Sequence, residues 1–231
     1  MLYALGDTHL SLQTNKPMDV FGGAWQGYME KLEAGLSVLR DGDTLILCGD
    51  TSWAMDLRDA GPDFLWLDAF PGTKYLVKGN HDYWWTTAQK LENFWSELGV
   101  TSLRLLHNNA VRYGGIAVCG TRGWFYEEDK RGTHDEKVFL RELGRLRASL
   151  EAGRKTGADE LVCCLHYPPL YEGYRCDEIV ALLNEYGVKR CYFGHLHGPA
   201  QSRVIEGPYG GIDYTLVAGD YVNFCPVFVE K

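Results

Sequence analysis

The chain has 231 residues, 45% of them hydrophobic, and carries 23 Lys and Arg against 31 Asp and Glu, a formal net charge of −8. That size predicts one domain, residues 1–231, with a substantial core, and nothing resembles a linker, a low-complexity tract or an internal repeat. The acidic balance excludes a sequence-independent duplex-binding surface, which needs clustered Lys and Arg, and no apolar run is long enough to span a bilayer.

The first residues, Met1-Leu2-Tyr3-Ala4-Leu5-Gly6-Asp7, lack the basic region and long apolar stretch of a signal peptide, so a cytoplasmic protein is expected. Leu2 to Leu5 reads as a buried strand ending at Gly6-Asp7-Thr8-His9. On an extended backbone Asp7 and His9 point the same way and approach one object together. A polar loop with Lys16-Pro17 and Gly22-Gly23 follows, then helical spacing of Leu32, Leu36 and Leu39 from about Trp25 to Leu39. Thr44 to Cys48 is an apolar strand that ends at Gly49-Asp50. A helical stretch from about Met55 to Phe70 is interrupted at Gly61-Pro62. Lys74 to Lys78 is a strand delivering Gly79-Asn80-His81-Asp82.

Trp84 to Leu98 is helix-like, with Thr86 or Thr87 as N-cap and Gly99 as a stop. Leu103–Leu106, Ala110–Tyr113 and Ile116–Cys119 read as shorter strands. The charged stretch Glu127 to Lys137 is expected to be a solvated loop running into a helix from about Val138 to Ala152. Leu161 to Leu165 is a strand ending at His166-Tyr167, Asp177 to Tyr186 a helix, and Cys191 to Phe193 a strand ending at Gly194-His195-Leu196-His197. Strands near 203–206, 213–217 and 222–229 complete the chain. Cys48, Cys119, Cys163, Cys164 and Cys191 lie inside apolar runs, and no Cys-x-x-Cys occurs, so buried reduced thiols are expected.

Five strand ends therefore carry Asp7 and His9, Asp50, Asn80 and His81, His166, and His195 and His197. Only His107 and His134 fall elsewhere. One Asp or His at a strand end means little, but packing requires no such residue at every terminus. The ordered set resembles the calcineurin-like metallophosphoesterase superfamily, with its pattern Asp-x-His, Gly-Asp-x-x-Asp, Gly-Asn-His-Asp/Glu, His, Gly-His-x-His. The resemblance runs from Asp7 to His197 and looks closest to single-domain bacterial members. It implies a four-layer α/β/β/α sandwich with two mixed β-sheets and a site where the sheets meet. It also implies two divalent transition-metal ions (Mn, Fe, Zn or Ni), one held by Asp7, His9 and His197, the other by Asn80, His166 and His195, with Asp50 bridging.

The chemistry is coherent with such a pair. Two ions about 3.5–4 Å apart clamp the attacking and leaving oxygens of an in-line phosphoryl displacement, with a bridging hydroxide as nucleophile. Imidazoles, carboxylates and an amide oxygen suit borderline divalent cations, and no thiolate belongs to the set. On an extended segment His195 and His197 stand about 6–7 Å apart, one histidine per ion. By the same resemblance His81 faces the substrate and protonates the leaving oxygen.

One position departs from the pattern. Three residues after Asp50, where a carboxylate that orients the catalytic histidine is expected, stands Trp53, followed by Ala54 where protein Ser/Thr phosphatases carry an arginine. Asp82 is the candidate to steady His81 or Asn80 instead, and Arg122 a replacement phosphate contact. Trp53, Trp84, Trp85, Trp124, Tyr126, Tyr167 and Tyr171 gather near the motifs, where Trp53 and Tyr167 in particular could line a substrate cleft. Lys16 and Arg175 could reach a phosphate tail. The expected activity is hydrolysis of a small-molecule or nucleotide-like phosphate ester. A Ser/Thr protein phosphatase is the alternative, disfavoured by Trp53 and Ala54. A silent scaffold of the same fold is a third reading, disfavoured by the complete ligand set.

Overall fold

Apolar runs that carry no polar alternation must be covered on both faces, and the strands they form are. The computed structural model describes residues 1–125 and 133–231, and within them two mixed sheets form. The first contains, in spatial order, β13 (Val227–Glu230), β1 (Leu2–Leu5), β2 (Thr44–Cys48), β3 (Thr73–Val77) and β4 (Leu103–Leu105). Strands β1 to β4 are parallel, and β13 returns antiparallel to β1. The second contains β11 (Gly207–Tyr209), β12 (Ile212–Leu216), β10 (Arg190–Phe193), β7 (Glu160–Leu165), β6 (Ile116–Thr121) and β5 (Ala110–Tyr113). Its four inner strands are parallel and its two edge strands antiparallel.

Side chains alternate across a strand, so each strand divides its residues between two cores. Leu2, Ala4, Ile46 and Cys48 face a core shared with Val118, Val162, Cys164 and Tyr192 of the other sheet. Tyr3, Leu5, Leu45 and Leu47 face the opposite way, onto helices α1 (Tyr28–Leu36), α2 (Gly61–Asp68) and α3 (Ala88–Leu98). Ala117, Cys119, Cys163 and Cys191 likewise face helices α4 (Thr133–Lys155) and α5 (Asp177–Glu185). The five strand cysteines are buried and reduced, as their apolar settings predict.

Several boundaries differ from expectation for local reasons. Gly61-Pro62 does not interrupt a helix; it begins α2, with Pro62 in the first turn, where a missing N–H costs nothing. α1 starts at Tyr28 rather than Trp25, because Trp25 closes a 3₁₀ turn and Gly27 is left-handed at φ 66°. α3 starts at Ala88, capped by the Thr87 side chain on the Lys90 amide, and ends at left-handed Gly99. α4 already includes residues 133–137, read above as loop, while the rest of that charged stretch and Tyr126 lie outside the described residues. Arg203 ends a 3₁₀ helix instead of opening a strand, and positive φ at Asn223 and Phe224 delays the last strand to Val227. A short hairpin of β8 (Leu170–Tyr171) and β9 (Tyr174–Arg175) was not anticipated. Among the described residues no helix is long and apolar enough to cross a membrane.

Candidate metal centre

Parallel neighbours in register end together: Leu5 pairs Leu47, Cys48 pairs Val77, and Leu165 pairs Phe193. The loops leaving these strand ends therefore meet, which is where open α/β sheets place ligands. The two sheets are stitched at this end by Gly6 N–H donating to Val217 O at 2.7 Å and Gly219 N–H donating to Gly6 O at 3.0 Å. Two glycines make the approach possible. A Cβ on Gly79 would fall inside the carboxylate and amide of Asp50, and one on Gly194 inside the carboxylate of Asp7.

The backbone at the site is not extended. Asp7, His9, Asp50 and His195 all sit at positive φ (57°, 46°, 51° and 72°). This corrects the expectation that Asp7 and His9, and His195 and His197, converge by strand alternation. They converge through left-handed turns, each a conformation that costs about 1–3 kcal/mol and persists where surrounding structure over-determines it.

Donor atoms of Asp7, His9 and His197 lie within 4.8 Å of one another, as do those of Asp7, Asp50 and His166. Asp7 is common to both triads. His197 Nε2 stands 3.2 Å from Asp7 Oδ1, His9 Nε2 is 4.0 Å from Asp7 Oδ1 and 3.8 Å from Asp50 Oδ2, and His166 Nε2 is 3.6 Å from Asp50 Oδ2. Asn80 joins the second triad, its Oδ1 at 2.6 Å from His166 Nε2. His195 lies outside both triads; its ring is 5.1 Å from that of His166, and its amide donates to Asp7 Oδ2 at 3.0 Å.

The arrangement fits divalent cations. Among the described residues Asp7 Oδ1 and His197 Nε2 are buried without a hydrogen-bond partner although they face the same point. His166 Nδ1 lies 3.1 Å from the Cys48 carbonyl, an acceptor, so Nδ1 carries the proton and Nε2 turns a lone pair towards Asn80 Oδ1. Acceptors directed at one place are what a shared cation requires, and oxygen with imidazole nitrogen suits a borderline divalent ion.

Protonation tells the same story. Burial pushes Asp50 up to about 8, helped by the charge of Asp7. Burial opposes ionisation of Asp7 too, but the charges of His197, His166 and His9 outweigh it and hold that carboxyl below its ordinary range. Burial lowers His9 and His166, and takes His195 down to about 3. His197 resists burial and rises to about 10, through the charge of Asp7 and a hydrogen bond from Nδ1 to Asp220 Oδ1 at 2.8 Å. Protons here occupy places that cations would take.

Asp220 is a candidate site residue that the sequence reading missed. Its carboxylate orients His197 and also accepts from the Gly198 amide at 3.3 Å. The signal was present: Gly219-Asp220 repeats the Gly-Asp pairs at Gly6-Asp7 and Gly49-Asp50. Trp25 was missed as well, with its ring 5.5 Å from His9 and 5.4 Å from His197.

Asp82 is placed differently from expectation. Its Oδ2 accepts from the amides of Gly79 (2.7 Å) and Asp50 (3.0 Å). Its Oδ1 accepts from the amides of Thr51 (2.8 Å) and Ser52 (3.3 Å) and from the Trp84 indole (3.1 Å). The expected bond that steadies His81 or Asn80 is therefore corrected: this buried carboxylate ties the loop after β2 to the loop after β3. Burial, reinforced by the charge of Asp50, raises it to about 7. His81 sits at the rim, its amide on Asp50 Oδ1 at 2.8 Å, its Nδ1 buried with no hydrogen-bond partner among the described residues and its ring 4.3 Å from that of Trp53.

The other candidates spread around this centre. Tyr167 packs edge-on to His195 at 4.6 Å, and Arg122 lies beside it, its guanidinium 6.0 Å from the Tyr167 ring. The Arg122 carbonyl accepts from the amides of His166 and Tyr167. Lys16 Nζ is 5.1 Å from the Trp53 ring centre. Arg175 instead pairs with Asp177 at 2.8 Å. Trp84 is buried against Phe64, Trp85 lies near His107, Trp124 near Phe139, and Tyr171 stacks on Phe125 and Tyr174.

A family model described as calcineurin-like phosphoesterase matches residues 2–199. Among solved structures, the phosphopantetheinyl hydrolase PptH from Mycobacterium tuberculosis is similar at TM-score 0.60 and 15% identity, over 99% of this chain and 96% of that one. The protein TT1561 of Thermus thermophilus is similar at TM-score 0.56 and 15% identity, over 93% of this chain and 87% of that one. Comparison with curated proteins gave no match.

Proposed function

Because the chain belongs to the calcineurin-like phosphoesterase family, we propose that it is a cytoplasmic, single-domain, dinuclear metal-dependent hydrolase of a small-molecule or nucleotide-like phosphate ester. The observation that carries this reading is the pair of carboxylate–imidazole triads sharing Asp7, all buried but for half-buried His197. Asp7, His9 and His197 are assigned to one ion, Asn80, His166 and His195 to the other, and Asp50 to both. When bound there, ions of Mn, Fe, Zn or Ni type would supply Lewis-acid polarisation of the phosphoryl group and activation of water.

The chain's own residues do the rest. Asp7 and Asp50 bring the charge that retains the cations, and Asp220 and the Cys48 carbonyl fix which nitrogen of His197 and His166 faces the centre. His81, half-buried at the rim, delivers a proton to the departing oxygen. Arg122 and Tyr167 flank the His166–His195 side, within reach of a bound ester.

The test combines metal analysis of the purified protein with assays of mono-ester, di-ester and nucleotide substrates across several divalent ions. Up to two ions per chain and metal-dependent release of phosphate or alcohol are expected. A chain without stoichiometric metal and without hydrolysis overturns the proposal.

A further inference from the structure

His81 lacks the hydrogen bond that usually holds a working imidazole. Among the described residues its buried Nδ1 has no hydrogen-bond partner, and the neighbouring carboxylate, Asp82, is occupied by four amides and an indole. What touches the ring is aromatic. Trp53 lies 4.3 Å away at 44°, His9 at 5.8 Å and the exposed Tyr83 at 6.0 Å.

Trp53 is itself well fixed. Its amide donates to Leu10 O at 2.8 Å, beside the bridge between Leu10 and Ser52. Its indole N–H points at Met18 Sδ, 3.1 Å away, and one ring face stacks on His9 at 5.0 Å and 21°. Lys16 holds a cation 5.1 Å from the same ring. The indole is thus held by the segment after β1, through Leu10, His9 and Met18, and His81 lies against it.

We infer that Trp53 is a positioning residue: its indole face, and not a carboxylate, fixes the imidazole of His81 over the metal centre. Packing restricts the ring by excluding other rotamers, where a hydrogen bond would do so by direction. It leaves Nδ1 free of a fixed anion. Trp53 then acts through His81 and needs no contact with substrate. This rests on the reading of His81 as the proton donor.

The test compares Trp53→Phe, Trp53→Ala, His81→Ala and the double Ala variant, each checked for metal content. Misplacing a reacting group by about 1 Å can cost about 10²-fold, so Trp53→Ala is expected to lower kcat by about one to two orders of magnitude with KM little changed. Trp53→Phe, which keeps a flat ring, restores most of the turnover. In the double variant the losses do not multiply, since a residue that works only through His81 has nothing left to position. A second readout needs no turnover: with ring-labelled histidine, NMR of the metal-free chain should show one sharp His81 resonance set in wild type and Trp53→Phe, and a broadened or doubled set in Trp53→Ala.

Multiplying losses, a rise in KM at constant kcat, loss of metal from Trp53→Ala, or an undisturbed His81 resonance would overturn the inference. If His81→Ala keeps full turnover, the proton-donor reading falls, while the resonance still decides whether Trp53 fixes the ring.

Discussion

At the scale of single residues, Asp220 gives the sharpest expectation. It accepts from His197 Nδ1 at 2.8 Å, leaving Nε2 aimed at Asp7. Carboxylates in this relation to a ligating imidazole typically contribute about 10- to 100-fold in metal affinity. Asp220→Ala should weaken metal binding by that order with the fold intact, as read by competition titration against a chromogenic chelator. Equal affinity in the variant would mean that His197 binds no ion. His81→Ala should instead keep its metal and lose about 10²- to 10⁴-fold in turnover, the usual contribution of a positioned acid. Loss of metal in that variant would make His81 a ligand. The gathering of these Asp and His residues at one place was legible because five strand ends carrying them have no packing reason to do so. The role of Asp82 was not, since adjacency to His81 does not reveal that its oxygens turn back onto the amides of residues 50–52.

Elements show what local sequence carries and what it omits. Thr87 and Gly99 act as helix signals with their own side-chain or backbone chemistry and could be read directly, whereas Pro62, which opens α2, was read as an interruption because Pro also breaks helices. Lys74 could not: a lysine within a strand looks like an exposed edge, yet it is fully buried. Its ammonium donates to the carbonyl of Phe70 and to Ser102 Oγ, joining the end of α2 to the start of β4 across β3. Asp68 completes the knot by accepting from the Thr101 and Ser102 amides at 3.0 and 2.7 Å. Burial brings Lys74 from 10.5 down to about 8, against the opposing charge of Asp68. Between those two values the unfolded chain holds a proton that the folded chain has released. Stability from this group therefore rises with pH across the window and is least favourable below about 8. The Tm difference between wild type and Lys74→Met should shift in favour of wild type as pH climbs from about 8 towards 10. Parallel curves would show that Lys74 stays protonated in the fold.

For the whole molecule, the centre sits on the seam between the sheets. Asp7, His9, Asp50 and Asn80 come from the ends of the first sheet, and His166, His195 and His197 from the second. This pairing of distant segments was the part least available from sequence patterns, because strand order across two sheets depends on contacts far apart in the chain. Hydrogen bonds that cross the seam at the site include His195 N–H to Asp7, His166 Nδ1–H to Cys48 O and Gly6 N–H to Val217 O. An ion held by residues from both sheets adds a further link that only the folded chain can make. Stabilisation then follows mass action, about 2.7 kcal/mol when free metal is 100 times its dissociation constant. Chelation should lower Tm, readdition of Mn²⁺ or Zn²⁺ should restore it, and Asp7→Asn, which weakens both triads at once, should remove the metal-dependent shift. Hydrogen exchange should slow on metal addition at strand ends of both sheets, around residues 6–10 and 194–197 together. Protection confined to one sheet would place the ion away from the seam and away from Asp7.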